Sequence, residues 1–184
     1  MADTTKGIAK QDLVMEHLVS LTYSEHLTPN LNRFADALLA GRLVGHKCPN
    51  CGRVYIPGKG YCPMCVVATG EKDEVEIQDR GTVTGFTIIA PVAYYGQTAT
   101  EPFVFASVLL DGADGTIGGQ DIVGLPHDQV RRGMRVRAVW LPEGERTAEG
   151  ITNRGWREVA GAISGFEPSG EPDAPIESYK EHML

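Results

Sequence analysis

Cys48, Cys51, Cys62 and Cys65 are all the cysteines of this chain, placed as CPNC and CPMC with ten residues between the pairs. Two close Cys-x-x-Cys pairs bring four thiolates to one tetrahedral metal, and four protein ligands leave no open position for water or substrate. Such a cage is structural, so any catalytic group must lie elsewhere. In the first pair, Pro49 restricts φ after the first ligand and Gly52 permits the left-handed turn that aims backbone amides at the sulfurs. The second pair repeats the proline but carries Val66 at the glycine position. Arg42, Lys47, Arg53 and Lys59 surround the cysteines and no Asp or Glu occurs from 41 to 65, which favours the deprotonated sulfurs.

Structural Zn²⁺ is the reading of this site, with iron its main competitor, since tetrahedral sulfur suits either metal. A disulfide reading needs an oxidising compartment. MADTTKGIAKQD has no apolar h-region and hence no secretory signal, so a cytoplasmic protein is expected. A thioredoxin-like pair would open a helix in a βαβ unit, whereas these two pairs flank a turn containing Gly and Pro.

The elements that must hold the cage begin upstream. Leu13, Val14, His17, Leu18 and Leu21 fall on one helical face over 11–22. Thr28 as cap, Pro29 at the first helical position, Leu31, Phe34, Leu38 and Leu39 at helical period, and Gly41 as terminator predict a helix over 29–40. Leu43 to Lys47 and Arg53 to Pro57 read as short ribbon strands with too few apolar residues to fold without metal. Beyond them the period changes to two. Strands are expected at 81–90, 103–110, 116–125, within MRVRAVWL and over 156–166, with a helical turn in PHDQVRRG. Five strands with a short helix between the third and fourth is the order of an OB-fold, where glycines 81, 85, 118 and 119 serve sharp bends. The expected architecture is mainly β: a five-stranded OB-fold barrel preceded by N-terminal helices and a rubredoxin-like zinc ribbon. Its parts are a helical segment over 1–42, the ribbon over 43–70, the barrel over 78–168 and an acidic tail over 169–184.

Two long loops, PVAYYGQTATEP and PEGERTAEGITNRGW, flank the face that OB-folds use for binding. Tyr94, Tyr95 and Trp156 in them either meet a ligand or partner or cap the barrel. Arg131 and Arg132, continued by Arg135 and Arg137, form a basic strip that either receives phosphates or is a solvated face. The net charge is −7, and with +4 in the cysteine segment the remainder carries −11, which argues against a nucleic-acid partner. No run is long and apolar enough for a membrane span. His46 reads as a strand residue beside a cage already complete. With every thiol committed and no Gly-x-Ser-x-Gly elbow, the chain alone is expected not to be catalytic.

FADALLAGRLVGHKCPNCGRVYIP, the second Cys-x-x-Cys, the strand opening GTVTGFT and the late GMRVRAVW together resemble the zinc-ribbon/OB-fold family of acyl-CoA-associated proteins, a domain of unknown function. The likeness spans about residues 29 to 168. It implies zinc on Cys48, Cys51, Cys62 and Cys65 and places no catalytic residue. It further implies an accessory subunit for a thiolase-like catalytic subunit, with acyl-CoA at or near the shared interface. Retro-aldol cleavage of a CoA thioester, such as a steroid side chain, is the leading expectation. A thiolase acting on aromatic or other acyl-CoA is the alternative within this class, and a single-stranded nucleic-acid-binding module the alternative outside it.

Overall fold

A computed structural model describes residues 19, 21, 23–91, 100–152 and 159–183. Its first helix, α1 (Pro29–Leu39), starts where the Thr28 hydroxyl accepts from the Leu31 amide at 3.3 Å, with Pro29 in the first turn. It stops in a Schellman turn: Gly41 takes φ +72°, its amide donates to Leu38 O and the Arg42 amide donates to Ala37 O. Phe34, Ala37 and Leu38 lie on the buried face. The helix expected over 11–22 falls outside the described residues, apart from Val19 and Leu21, which are exposed and not helical.

α1 delivers the chain into β1 (Leu43–Lys47), the centre of a three-stranded antiparallel sheet with β2 (Val54–Tyr55) and β3 (Glu74–Ile77). β3 was not foreseen. Its short EVEI run pairs Leu43 with Ile77 and His46 with Glu74, so the ribbon sheet closes with residues beyond the second cysteine pair.

The second sheet has the order β6-β5-β4-β7-β8, with β4 (Arg80–Ile89), β5 (Phe103–Leu110), β6 (Thr116–Asp121), β7 (Arg135–Trp140) and β8 (Ile163–Pro168). A parallel bridge from Ile122 to Phe166 brings its two edges together. This is the expected mainly β fold with an OB barrel. β4 bulges between Val83 and Gly85, where the register to β5 shifts and the strand bends. Gly81 permits the closest strand approach, since a Cβ there would lie 2.3 Å from the Leu109 carbonyl oxygen.

The last strand begins later than 156. Val159 to Ala162 form a turn, Gly161 has φ +89°, and strand pairing starts at Ile163. β6 likewise ends at Asp121, short of the expected 125. A short helix α2 (Ala148–Thr152) occupies part of the loop before the last strand, and the turn in PHDQVRRG is a 3₁₀ turn at His127–Gln129.

One core joins these parts. Phe34 and Leu38 of α1, Leu43, Val54, Ile56 and Ile77 of the ribbon, and Val83, Val108, Val136 and Phe166 of the barrel belong to one buried cluster. Asp114, in the β5–β6 turn, fastens ribbon to barrel. Its carboxylate accepts from the Val54 amide at 2.8 Å and its own amide donates to Val54 O at 2.7 Å. The ribbon, poor in apolar residues, therefore draws on the barrel's core as well as on metal.

Candidate metal centre

Each cysteine pair sits in a knuckle of the same backbone plan. In the first, the Cys48 amide donates to Arg53 O at 2.7 Å and the Gly52 amide to Cys48 O at 2.9 Å. In the second, the Cys62 amide donates to Val67 O at 2.8 Å and the Val66 amide to Cys62 O at 2.9 Å. Both turns need a left-handed residue, supplied by Gly52 at φ +74° and by Val66 at φ +55°. The amides of Asn50 and Cys51 point at the Cys48 sulfur, at 3.4 and 3.5 Å.

The four sulfurs all lie within 4.8 Å of one another. Cys51 Sγ and Cys62 Sγ are 3.7 Å apart, far beyond a disulfide bond, and close to the edge of about 3.8 Å that a tetrahedron with Zn–S near 2.3 Å requires. Electrostatics tell the same story. The Cys51 amide draws the Cys48 thiol down to about 7. The Arg53 amide lowers Cys51 too, but burial and the neighbouring sulfurs outweigh it and push that thiol up to about 12. A second negative charge is resisted inside the cage unless a cation shares it. The donor set thus fits a structural Zn²⁺, held by all four side chains with none to spare.

His46 is not a ligand of this cage. It is buried in β1, with Nδ1 3.0 Å from Thr69 Oγ1 and Nε2 3.8 Å from Glu74 Oε1. Burial holds its imidazole below the usual value. Glu74 also accepts from Arg33 Nε at 2.6 Å, and Arg33 donates to Asn30 Oδ1, so this cluster ties α1 to the ribbon.

The basic strip read from the sequence is largely engaged within the chain. Arg131 forms a two-pronged pair with Asp173 at 2.6 and 2.7 Å. Arg135 clasps Asp111 and also donates to Glu171 at 2.9 Å; Arg80 donates to Glu171 at 3.1 Å and Arg137 to Glu167 at 2.8 Å. Arg132 is exposed beside them. The segment after β8, expected to trail away, instead lies along the barrel, its Ala174 amide donating to Gly133 O and its Tyr179 buried. Glu171, Asp173 and Tyr179 were missed as partners of the strip. No local signal was available, since pairs such as Arg131 with Asp173 lie 42 residues apart. Tyr94, Tyr95 and Trp156 lie outside the described residues.

Family models reproduce this two-part plan. The ChsH2 rubredoxin-like zinc ribbon domain matches residues 35–68 and the ChsH2 C-terminal OB-fold domain matches residues 74–141. A DUF35 domain-containing scaffold protein of Methanocaldococcus jannaschii is 34% identical over 118 residues, which is 62% of this chain and 79% of the relative. The chain belongs to the DUF35 family. A second DUF35 scaffold protein, from Methanothermobacter thermautotrophicus, is 28% identical over 116 residues, 62% of this chain and 84% of the relative. Among solved structures, a DUF35 protein of unknown function from Sulfolobus solfataricus superposes with a TM-score of 0.50 at 26% identity, covering 60% of this chain and 78% of its own. The Ltp2-ChsH2(DUF35) aldolase gives a TM-score of 0.53 at 21% identity over 79% of this chain and 99% of the matched chain, a likeness of fold.

Proposed function

We propose that this DUF35 chain is a non-catalytic accessory subunit of a heteromeric enzyme that cleaves a carbon–carbon bond in an acyl-CoA, partnered by a thiolase-like catalytic subunit. The observation that carries the reading is the closed cage. All four thiols of the chain converge on one metal position, which leaves no free cysteine nucleophile of the kind thioester chemistry commonly uses and supports a second polypeptide as the catalyst. The description of two relatives as scaffold proteins and the association of a similarly folded chain with an aldolase support it. Within this reading retro-aldol cleavage is preferred over thiolysis, in keeping with that aldolase, and acyl-CoA binds at or near the shared interface. No helix among the described residues is long and apolar enough to cross a membrane. The assembly is placed in the cytoplasm as part of the proposal.

A nucleic-acid role gains no support from the basic strip. Arg80, Arg131, Arg135 and Arg137 are each met by a carboxylate of the chain itself, which cancels the field that would attract a phosphate backbone. The test is co-expression with a thiolase-like protein encoded beside this chain. A stable complex with acyl-CoA cleaving activity is expected, and a chain that stays alone while that protein is fully active without it would remove the proposal.

A further inference from the structure

The acidic segment after β8 is seated on the barrel in the manner of a bound peptide. Its first contact continues the β7–β8 ladder, the Ser169 amide donating to Arg135 O at 2.9 Å. Glu171 then bridges Arg80 and Arg135, Asp173 forks onto Arg131, and the Ala174 amide donates to Gly133 O at 2.8 Å. Tyr179, six residues beyond Asp173, is 6% exposed against Gly133. A Cβ on Gly133 would stand 3.0 Å from the Tyr179 hydroxyl and 3.2 Å from Ala174 O, so the notch exists because residue 133 has no side chain.

Apart from Tyr179, the segment stays outside the core. An open surface groove of about 550 Å³ runs between it and the β5–β6 turn, lined by Leu109, Asp111, Ala113, Pro172 and Pro175 among others. Ile176 and Met183 of the segment stay exposed, while Val83 and Val136 of the five-stranded barrel are fully buried. The Arg131–Asp173 pair is solvent-accessible, with 58% and 38% exposure, and such pairs hold weakly, whereas Arg135 beneath Glu171 is 15% exposed. Charge matching through an exposed pair, with Ile176 and Met183 left outside the core, marks a contact that can be undone.

We infer that Arg80, Arg131, Arg135 and the Gly133 notch form a peptide-binding site for an extended acidic segment of a partner protein, and that residues 169–183 are its releasable internal occupant. The ligand is defined by two carboxylates two residues apart followed by a tyrosine. The internal segment competes with it for the same main-chain and arginine contacts, so the site opens only to a partner that outbids a tethered copy. The inference stands apart from the reaction the complex performs.

Native-state hydrogen exchange on the full, metal-loaded chain tests it, using a synthetic peptide of residues 169–183 as competitor. The Ala174 amide should exchange on the order of 100-fold faster than the Val83 amide, because it opens without the barrel. Peptide at roughly millimolar concentration, comparable with the effective concentration of a tethered segment, should speed Ala174 exchange several-fold and leave Val83 unchanged. The same peptide carrying E171Q, D173N and Y179A should do nothing. Arg131→Glu, at an exposed position, should release Ala174 with Val83 protection intact. Exchange of Ala174 and Val83 as one unit, an inert wild-type peptide, or equal effects of the two peptides would overturn the inference.

Discussion

The two metal knuckles share one hydrogen-bond plan and differ at the residue that must turn left-handed. Gly52 adopts φ +74° freely, whereas Val66 adopts φ +55° with a branched β-carbon crowding the backbone. Val66 is also 81% exposed, so no burial compensates the strain. Its conformation is imposed by Cys62 and Cys65 just before it, which the cage holds in place. The first knuckle is therefore favoured by its own sequence, and the second is held chiefly by metal. Local preference and long-range constraint can produce the same turn, and they should fail differently.

The largest effect comes from breaking the cage itself. Cys48→Ser or Cys62→Ser removes a buried ligand from a site that in small modules contributes on the order of 10 kcal/mol. Each variant should lose stoichiometric metal and the ribbon's amide protection, with the midpoint of thermal unfolding lowered by ~10 °C or more. Retained metal and an unchanged melt in either variant would contradict the structural role. Chelation should separate the knuckles. As metal is withdrawn, the amides of Cys62 and Val66 should lose exchange protection before those of Cys48 and Gly52, and simultaneous loss would show that the glycine confers no independent stability.

Exchanging the left-handed residues sharpens the comparison. Gly52→Val places a branched side chain at φ +74° and should destabilise by about 1–2 kcal/mol. Val66→Gly relieves similar strain but gives the unfolded chain more freedom, so a net gain of only about 0.5–1 kcal/mol is expected in denaturant melts. A loss of stability in Val66→Gly would mean that the valine side chain makes a contact its exposure does not reveal.

The smallest effect contrasts the metal-held ribbon with the ion-held acidic segment. Hydrogen bonding from Arg135, aided by Arg80, holds the Glu171 carboxyl below its usual value. A carboxylate whose pKa is depressed by docking strengthens docking above its free pKa and loses that contribution as pH falls through the depressed value. The Ala174 amide should therefore lose protection below about pH 4, in the range where free carboxylates take up protons. Glu171→Gln should flatten this dependence, and an equally steep profile in that variant would assign the transition to another group.

Legibility in the sequence followed the range of the interactions. α1 was readable to within a residue because its signals are local: the Thr28 cap, Pro29 and Gly41. β1 and β5 were found at their observed bounds, since LVGHK and FVFASVLL are runs bounded by contrasting neighbours. The cage was readable because two short cysteine spacings nearly determine it. β3 was invisible, as four residues of EVEI become a strand only when paired with β1. The start of β8 was misplaced because the Gly161 turn interrupts an otherwise apolar run. The seating of the acidic segment depends on pairs such as Asp173 with Arg131, separated by 42 residues, which no local pattern announces.

On the function proposed above, this chain depends on a second protein for catalysis. The most direct test is acyl-CoA cleavage measured with the zinc-loaded chain alone, with a co-purifying thiolase-like subunit alone, and with the two together. No turnover by the chain alone and substantial activity only from the pair are expected. Turnover by the isolated chain that persists after every co-purifying protein has been removed would contradict the proposal.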